Sequence, residues 1–419
     1  MASLLAQAEA NNPRILAAVN TAEAAEARVP QAGALPDPTL GVGVMNFPVA
    51  DPSLGRDMMT MTTVQLGEQF PWPGKLGLRE KVAGHLAEAA RWEVERTRQE
   101  VLADVKATYY RVYFLDRALE VTGRNEVHLG DFARLTSAKY GVGTGGQPDV
   151  LRAQVERTRL ADQIVALAEE RTSAVARLNA LIGRSTETPL PSTELPEGLR
   201  TAALEQESTV ATFASASLPG GTTADGQTAP GIPSVAELQR MALEHNPMIQ
   251  AHVRRVAAQE TAVSLAGKAK LPDVSVSVAY SRRPDFGDFA NLMVSVPLPL
   301  FSGRKQEQAV VEQTAVLGDH RARHHAMVDE LNAEIASLAA GLRRARDQLV
   351  LLNEGILPQA RTGLSSATAS YQVGRVDFLT ILDAQVTLYK LELDYHRLLS
   401  DFAADLAALE RAVGTEVIR

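Results

Sequence analysis

The sequence predicts a mostly helical α+β chain, built from two copies of one module and carrying four strands of membrane-crossing length. Three observations lead there. The segment beginning at Asn11, NNPRILAAVNTAEAAEARVPQAGALPDPTLGVGV, returns at His245 as HNPMIQAHVRRVAAQETAVSLAGKAKLPDVSVSV, and Tyr140 to Gln154 answers Tyr371 to Gln385 at a constant offset of 231. Short runs alternate apolar with small or polar residues, as half-buried strands do. Long tracts rich in Ala, Glu, Arg and Leu hold no proline, as long helices do. A repeat of this length is a duplicated supersecondary module, not a solenoid unit of roughly 20–50 residues. The modules run over 1–187 and 234–419. Residues 188–233, rich in Pro, Gly, Ser and Thr, read as an irregular and partly disordered connector.

In each module a helix comes first, near 2–30 and 234–268. The chain turns at Leu35-Pro36-Asp37 and Leu271-Pro272-Asp273 and enters strands near 39–47 and 274–281. Val274, Val276 and Val278 alternate with serines, which gives one greasy and one polar face. Second strands are expected near 60–70 and 289–298, after polar loops. Segments of about 8–11 residues cross a hydrocarbon layer when tilted. The prolines of FPWPGK and PLPLFSGR then mark strand-to-helix joints, because proline continues neither a ladder nor a helix interior. Long helical hairpins follow over 75–187 and 303–415. Along the last helix, Ile381, Ala384, Leu388, Leu391, Tyr395, Leu398 and Phe402 repeat at heptad spacing, a coiled-coil seam that slips by one residue into Leu406 and Leu409.

Composition excludes several function classes. The net charge of -8 gives no reason to expect nucleic acid as a partner. With no cysteine, disulfides and thiolate metal sites are impossible. No run of 18 apolar residues encodes a transmembrane helix. Met1 to Asn12 carries no leader pattern, so the chain is expected either to be cytosolic or to have lost a targeting segment. Neither a phosphate-binding glycine loop nor a nucleophile motif is present, so neither an enzyme nor a cofactor is expected.

Four strands cannot close a barrel, and an open sheet edge is not tolerated in lipid. Other copies of the chain must therefore complete the sheet, and cyclic symmetry is the usual way. Three copies would supply twelve strands, a size consistent with a water-filled lumen.

These features resemble a TolC-type outer-membrane factor, the exit duct of tripartite efflux pumps and of type I secretion. The resemblance spans nearly all of the chain, and YQVGRVDFLTILDAQ (371–385) is its most specific piece. It implies a homotrimer whose twelve-stranded outer-membrane barrel is continued by a periplasmic α-helical barrel. It also implies a periplasmic adaptor and an inner-membrane pump of the RND type as partners. Family members lose a signal peptide on maturation, which accounts for its absence here. Many carry a lipidated N-terminal cysteine, which this chain lacks.

The resemblance also assigns residues. A periplasmic gate would use Asp383, Asp149, Tyr371, Arg375 and Asp377, where Tyr371 can bond to Asp149 and Asp377 stands in for an acidic residue whose matching position is Thr380. Three copies of Asp383 around a narrow opening would repel one another and attract cations. The plainer reading of Asp383 is a solvated helix-start carboxylate favoured by the helix dipole. Tyr140, Gly141, Val142 and Gly143, with Tyr371, Val373 and Gly374, would dock the adaptor; as residues alone they read as glycine-terminated helices.

Two features resemble metal sites. Met45, Met58, Met59 and Met61 cluster around the first strand-to-strand loop, thioethers suit Cu(I), and the cluster is similar to members of the heavy-metal, CusC/CzcC-like branch. An incidental apolar cluster is the commoner meaning. His320 and His324 stand four apart on a helix without an evident third ligand, which reads as a solvated face. The reading is thus a passive gated duct for small molecules or metal ions. The alternatives are a type I protein-secretion duct and a periplasmic coiled-coil scaffold or adaptor without channel activity.

Overall fold

In a computed structural model, residues 1–49, 54, 57–204, 233–284 and 286–417 are described. The central part of the connector, 205–232, lies outside them. The described chain divides into two compact units. One gathers Met1–Ala17, Glu95–Asn246 and Asp329–Arg419, and the other Ala18–Val94 and Pro247–Val328.

Where one opening helix is expected in each module, the structure has two. Helix α1 (Ala2–Asn11) ends at Asn12, and α2 (Pro13–Gly33) restarts on the proline. Strands β1 (Thr39–Met45) and β2 (Met61–Phe70) follow, then α3 (Lys75–Gly141), α4 (Gln147–Leu181) and the short α5 (Glu197–Leu204). The same break recurs between α6 (Val235–His245) and α7 (Pro247–Lys268). The physical reason is the proline ring, which drives the preceding residue out of the helical region. Asn12 sits at φ -72, ψ 122 and Asn246 at φ -68, ψ 119. Each break is held by its asparagine. Asn12 Nδ2 donates to the Leu181 carbonyl at 2.7 Å, and Asn246 Nδ2 to the Ala412 carbonyl at 2.8 Å.

Strands β3 (Val274–Arg282) and β4 (Phe289–Ser295) complete one antiparallel sheet in the order β1-β2-β3-β4. Its register sorts the alternating sequence onto two faces. Leu40, Leu66, Val278 and Leu292 form one row across all four strands, and Val42, Val64, Tyr280 and Ala290 the next. This apolar face is open: Leu40 is 71% exposed and Leu292 72%. Glu68 interrupts it, in the row with Val276 and Val294. The opposite face carries Gly41, Gln65, Ala279 and Asn291 in one row. On that side Thr63 and Ser281 share a buried hydroxyl hydrogen bond of 2.9 Å. Among the described residues the sheet stops at β1 on one side and at β4 on the other.

Helix α8 (Gln306–Val350) passes into a single π-helical turn (Leu351–Ile356) before α9 (Leu357–Gln372) and α10 (Phe378–Val413). Pro358, in the first turn of α9, offers no N–H to the carbonyl four residues back, and the wider turn accommodates that loss. The core around α10 differs in detail from the heptad expectation. Ile381, Phe402, Leu406 and Leu409 are buried, while Ala384, Leu388, Leu391, Tyr395 and Leu398 are only half-covered. Burial follows Leu382, Gln385, Tyr389 and Leu393 instead, closer to the 3.6-residue period of a straight helix than to a strict heptad. The two polar members of that stripe are buried because α3 partners them. Gln385 donates to Asn125, and the Tyr389 hydroxyl lies 3.1 Å from Thr122 Oγ1.

Candidate functional site

Two helix-to-helix turns, each closed by a glycine, carry most of the residues singled out by sequence. At the end of α3, Gly143 N–H donates to the Tyr140 carbonyl at 3.0 Å and Thr144 N–H to Lys139 at 2.9 Å. At the end of α9, Gly374 N–H donates to Tyr371 at 3.0 Å and Arg375 N–H to Ser370 at 2.9 Å. This is the same Schellman cap, 231 residues apart. It needs a left-handed residue, and the glycines supply it at φ 75 and φ 76. Val142 and Val373 then project with 74% and 68% exposure. Beside them, Gly141 is exposed as well.

The equivalent tyrosines have different fates. Tyr140 is 51% exposed and Tyr371 only 6%. Tyr371 packs on Phe378 with ring centroids 6.1 Å apart. Lys139 covers it from the other hairpin: Nζ donates to the Tyr371 carbonyl at 2.8 Å and stands 3.8 Å from the ring centroid. Among the described residues no hydrogen bond joins Tyr371 to Asp149. Burial, and then the negative charge of Asp149, raise the Tyr371 phenol above its ordinary pKa, so it remains protonated at neutral pH.

Asp377 caps α10, accepting from Thr380 N–H at 3.1 Å and Thr380 Oγ1 at 2.7 Å. Those bonds, with Arg152 nearby, hold its carboxyl below the usual range. The cap also explains why threonine suits position 380. Asp149 occupies the first turn of α4, half-buried. Asp383 and Arg375 are exposed, and among the described residues neither side chain has an ion-pair partner. The structure thus brings Tyr371 near Asp149, ties it to Lys139, and gives Asp383 no ion-pair partner among the described residues.

Lys139 was not singled out by sequence. A signal did exist, because it stands where the repeat has Ser370. Of the four methionines, Met45 and Met61 face each other as a ladder pair, while Met58 and Met59 are exposed beyond the strand ends.

Residues 4–184 and 238–415 match the outer membrane efflux protein family. The chain belongs to that family. Its matched segments hold both glycine-capped turns and all four strands. Over 418 residues it is 22% identical to the cobalt-zinc-cadmium resistance protein CzcC of Cupriavidus metallidurans, covering 98% of this chain and 88% of that one. The outer-membrane channel OprN superimposes with a TM-score of 0.78 at 18% identity, over 98% of this chain and 89% of OprN. The outer membrane protein VceC of Vibrio cholerae superimposes with a TM-score of 0.76 at 19% identity, over 99% and 96%. This efflux protein is therefore an outer-membrane protein, which sets aside the cytosolic alternative. The open apolar face of its sheet has the chemistry that location requires.

Proposed function

We propose that three copies of this efflux protein close one twelve-stranded barrel in the outer membrane, and that their helical hairpins form the periplasmic part of the conduit. The observation that carries this reading is the sheet. One face is apolar and open across all four strands, the other is mostly polar or small with Met45, Met61, Phe289 and Met293 among it, and among the described residues β1 and β4 leave unpaired edges. Unsatisfied strand edges in lipid cost several kcal/mol per group, so edge must meet edge. The matched glycine caps and Asn-Pro breaks support a chain made of two duplicated modules.

The two capped turns carry the docking surface for a periplasmic adaptor, which couples the duct to an inner-membrane pump. Asp149, Tyr371, Arg375, Asp377 and Asp383 form its gate region, and Lys139 ties the two hairpins together there. The cargo is small molecules or metal ions. The relation to a cobalt-zinc-cadmium resistance protein favours divalent metal. Cysteine cross-linking tests the closure directly, because the chain has no cysteine of its own. Pairs placed on the two edge strands, such as Gly41→Cys with Asn291→Cys or Met293→Cys, should trap a covalent trimer on oxidation. Monomer alone from every pairing of β1 with β4 would contradict the reading.

A further inference from the structure

We propose that His252, His320 and His324 form a binding site for one divalent transition-metal ion of the zinc, nickel or cobalt kind, which clamps α7 to α8. The spacing of His320 and His324 puts both on one face of α8. Their third partner comes from α7, 68 residues before the first of them in sequence. The His252 ring centroid lies 5.9 Å from that of His320 and 5.7 Å from that of His324. Two imidazoles on one tetrahedral ion have centroids roughly 5–6 Å apart, given metal–nitrogen bonds of about 2 Å.

The site is built from groups that lack other employment. His252 is 5% exposed, and among the described residues the buried Nδ1 atoms of all three histidines find no hydrogen-bond partner. A buried nitrogen without a partner is uncommon and calls for an occupant. An imidazole binds a metal ion in its neutral form, and Arg255 and Arg323 stand near His252. Nearby cations are themselves neutralised: Arg255 pairs with Glu93 at 2.6 Å, Arg323 with Asp319 at 2.8 Å, and Arg321 with Glu260 at 2.6 Å. Among the described residues, no three His, Asp or Glu side chains are set to hold an ion as they stand. The site therefore requires the rings to turn about their Cβ–Cγ bonds, a torsion that is broad and roughly two-fold in histidine. The proposal does not rest on the channel reading, since the ion bridges two helices whatever passes along the duct.

Calorimetric titration of the purified protein in detergent with Zn2+ and with Ni2+, paired with thermal unfolding, tests it. The expected result is one ion per chain and a rise in Tm on binding. His252→Gln and His324→Gln should each weaken binding at least about tenfold and remove the rise, since a lost first ligand costs at least what a second-shell loss does. His325→Gln, an exposed neighbour outside the set, should leave both unchanged. Should His252→Gln misfold, judged by circular dichroism and oligomer mass, the half-buried His320→Gln replaces it. Absence of binding, or equal binding by wild type and all ligand variants, would overturn the site.

Discussion

Asn246 and Ala412 are joined by a side-chain to main-chain hydrogen bond of 2.8 Å, which pins the break before Pro247 to the end of α10. Asn12 and Leu181 repeat it in the first module. Next to each contact a left-handed glycine closes the joint. A Cβ on Gly414 would clash with the His245 carbonyl oxygen, and one on Gly183 would stand 2.8 Å from Asn11 Cβ. Asn246→Ala should therefore lower Tm, at a cost of about 1–3 kcal/mol for the buried group left unpaired. Gly414→Ala should lower it further, because strain at φ 86 adds to the clash. Thermal unfolding of both variants in detergent checks this, and an unchanged Tm for Gly414→Ala would refute the account of the joint.

The Lys139–Tyr371 contact predicts a gating phenotype. Lys139→Ala removes a charge-assisted hydrogen bond worth about 1.5–3 kcal/mol and a cation–π contact worth about 0.5–2 kcal/mol. Each 1.4 kcal/mol shifts an equilibrium about tenfold, so the open form should gain population and single-channel conductance should rise. Lys139→Arg should restore much of the wild-type value. Identical conductance in wild type and Lys139→Ala would show that the contact does not restrain the gate.

Asp383 predicts cation sensitivity. Its carboxylate is exposed and has no ion-pair partner among the described residues, so copies drawn together around a pore would concentrate cations. Asp383→Ala should relieve block by divalent cations or enlarge conductance, and a titration of block against cation concentration reads both. Unchanged block and conductance would remove Asp383 from the gate.

Gly143→Val and Gly374→Val should impair adaptor capture while leaving the trimer intact. A β-branched residue in the left-handed region costs about 1–2 kcal/mol or more and re-aims the turn that carries Val142 and Val373. Pull-down with the adaptor, beside native mass of the duct, separates the two effects. Full capture by both variants would count against docking at the turns.

Acid should destabilise the unit that holds α10 through His396. Its half-buried ring packs on Tyr395 and Tyr113, with centroids 5.3 Å and 6.3 Å away. Burial, then Arg117, hold the imidazole below 6.5 against the opposing pull of Glu392 and Glu120, and Arg124 adds to the lowering. Between the folded pKa and the higher unfolded pKa, the unfolded state binds more protons. That stability is whole above about pH 6.5 and is lost as pH falls through the folded value. Tm should fall from pH 8 to pH 5 more steeply in wild type than in His396→Phe, and parallel slopes would contradict the assignment.

The strands were legible because a sheet with one apolar face demands alternation, and Val274 to Val278 obeys it residue by residue. The glycine turns were legible because a left-handed cap leaves few choices at Gly143 and Gly374. The breaks at Asn12 and Asn246 were not, since apolar periodicity continues across them and only the proline marks the change. Gln385 and Tyr389 escaped a seam drawn from apolarity, because their burial depends on Asn125 and Thr122, some 260 residues away in sequence. Lys139 escaped for the same reason, its partner lying on the other hairpin. His320 and His324 read as a solvated pair until packing brought His252 beside them.

Single-channel recording in a planar bilayer, on protein whose mass in detergent gives its chain number, tests the central claim most directly. A trimer that inserts and conducts ions in discrete, cation-sensitive steps is the result expected of a duct closed by twelve strands. A monomer that leaves the bilayer silent would mean that the apolar face of the sheet meets something other than lipid, and would contradict it.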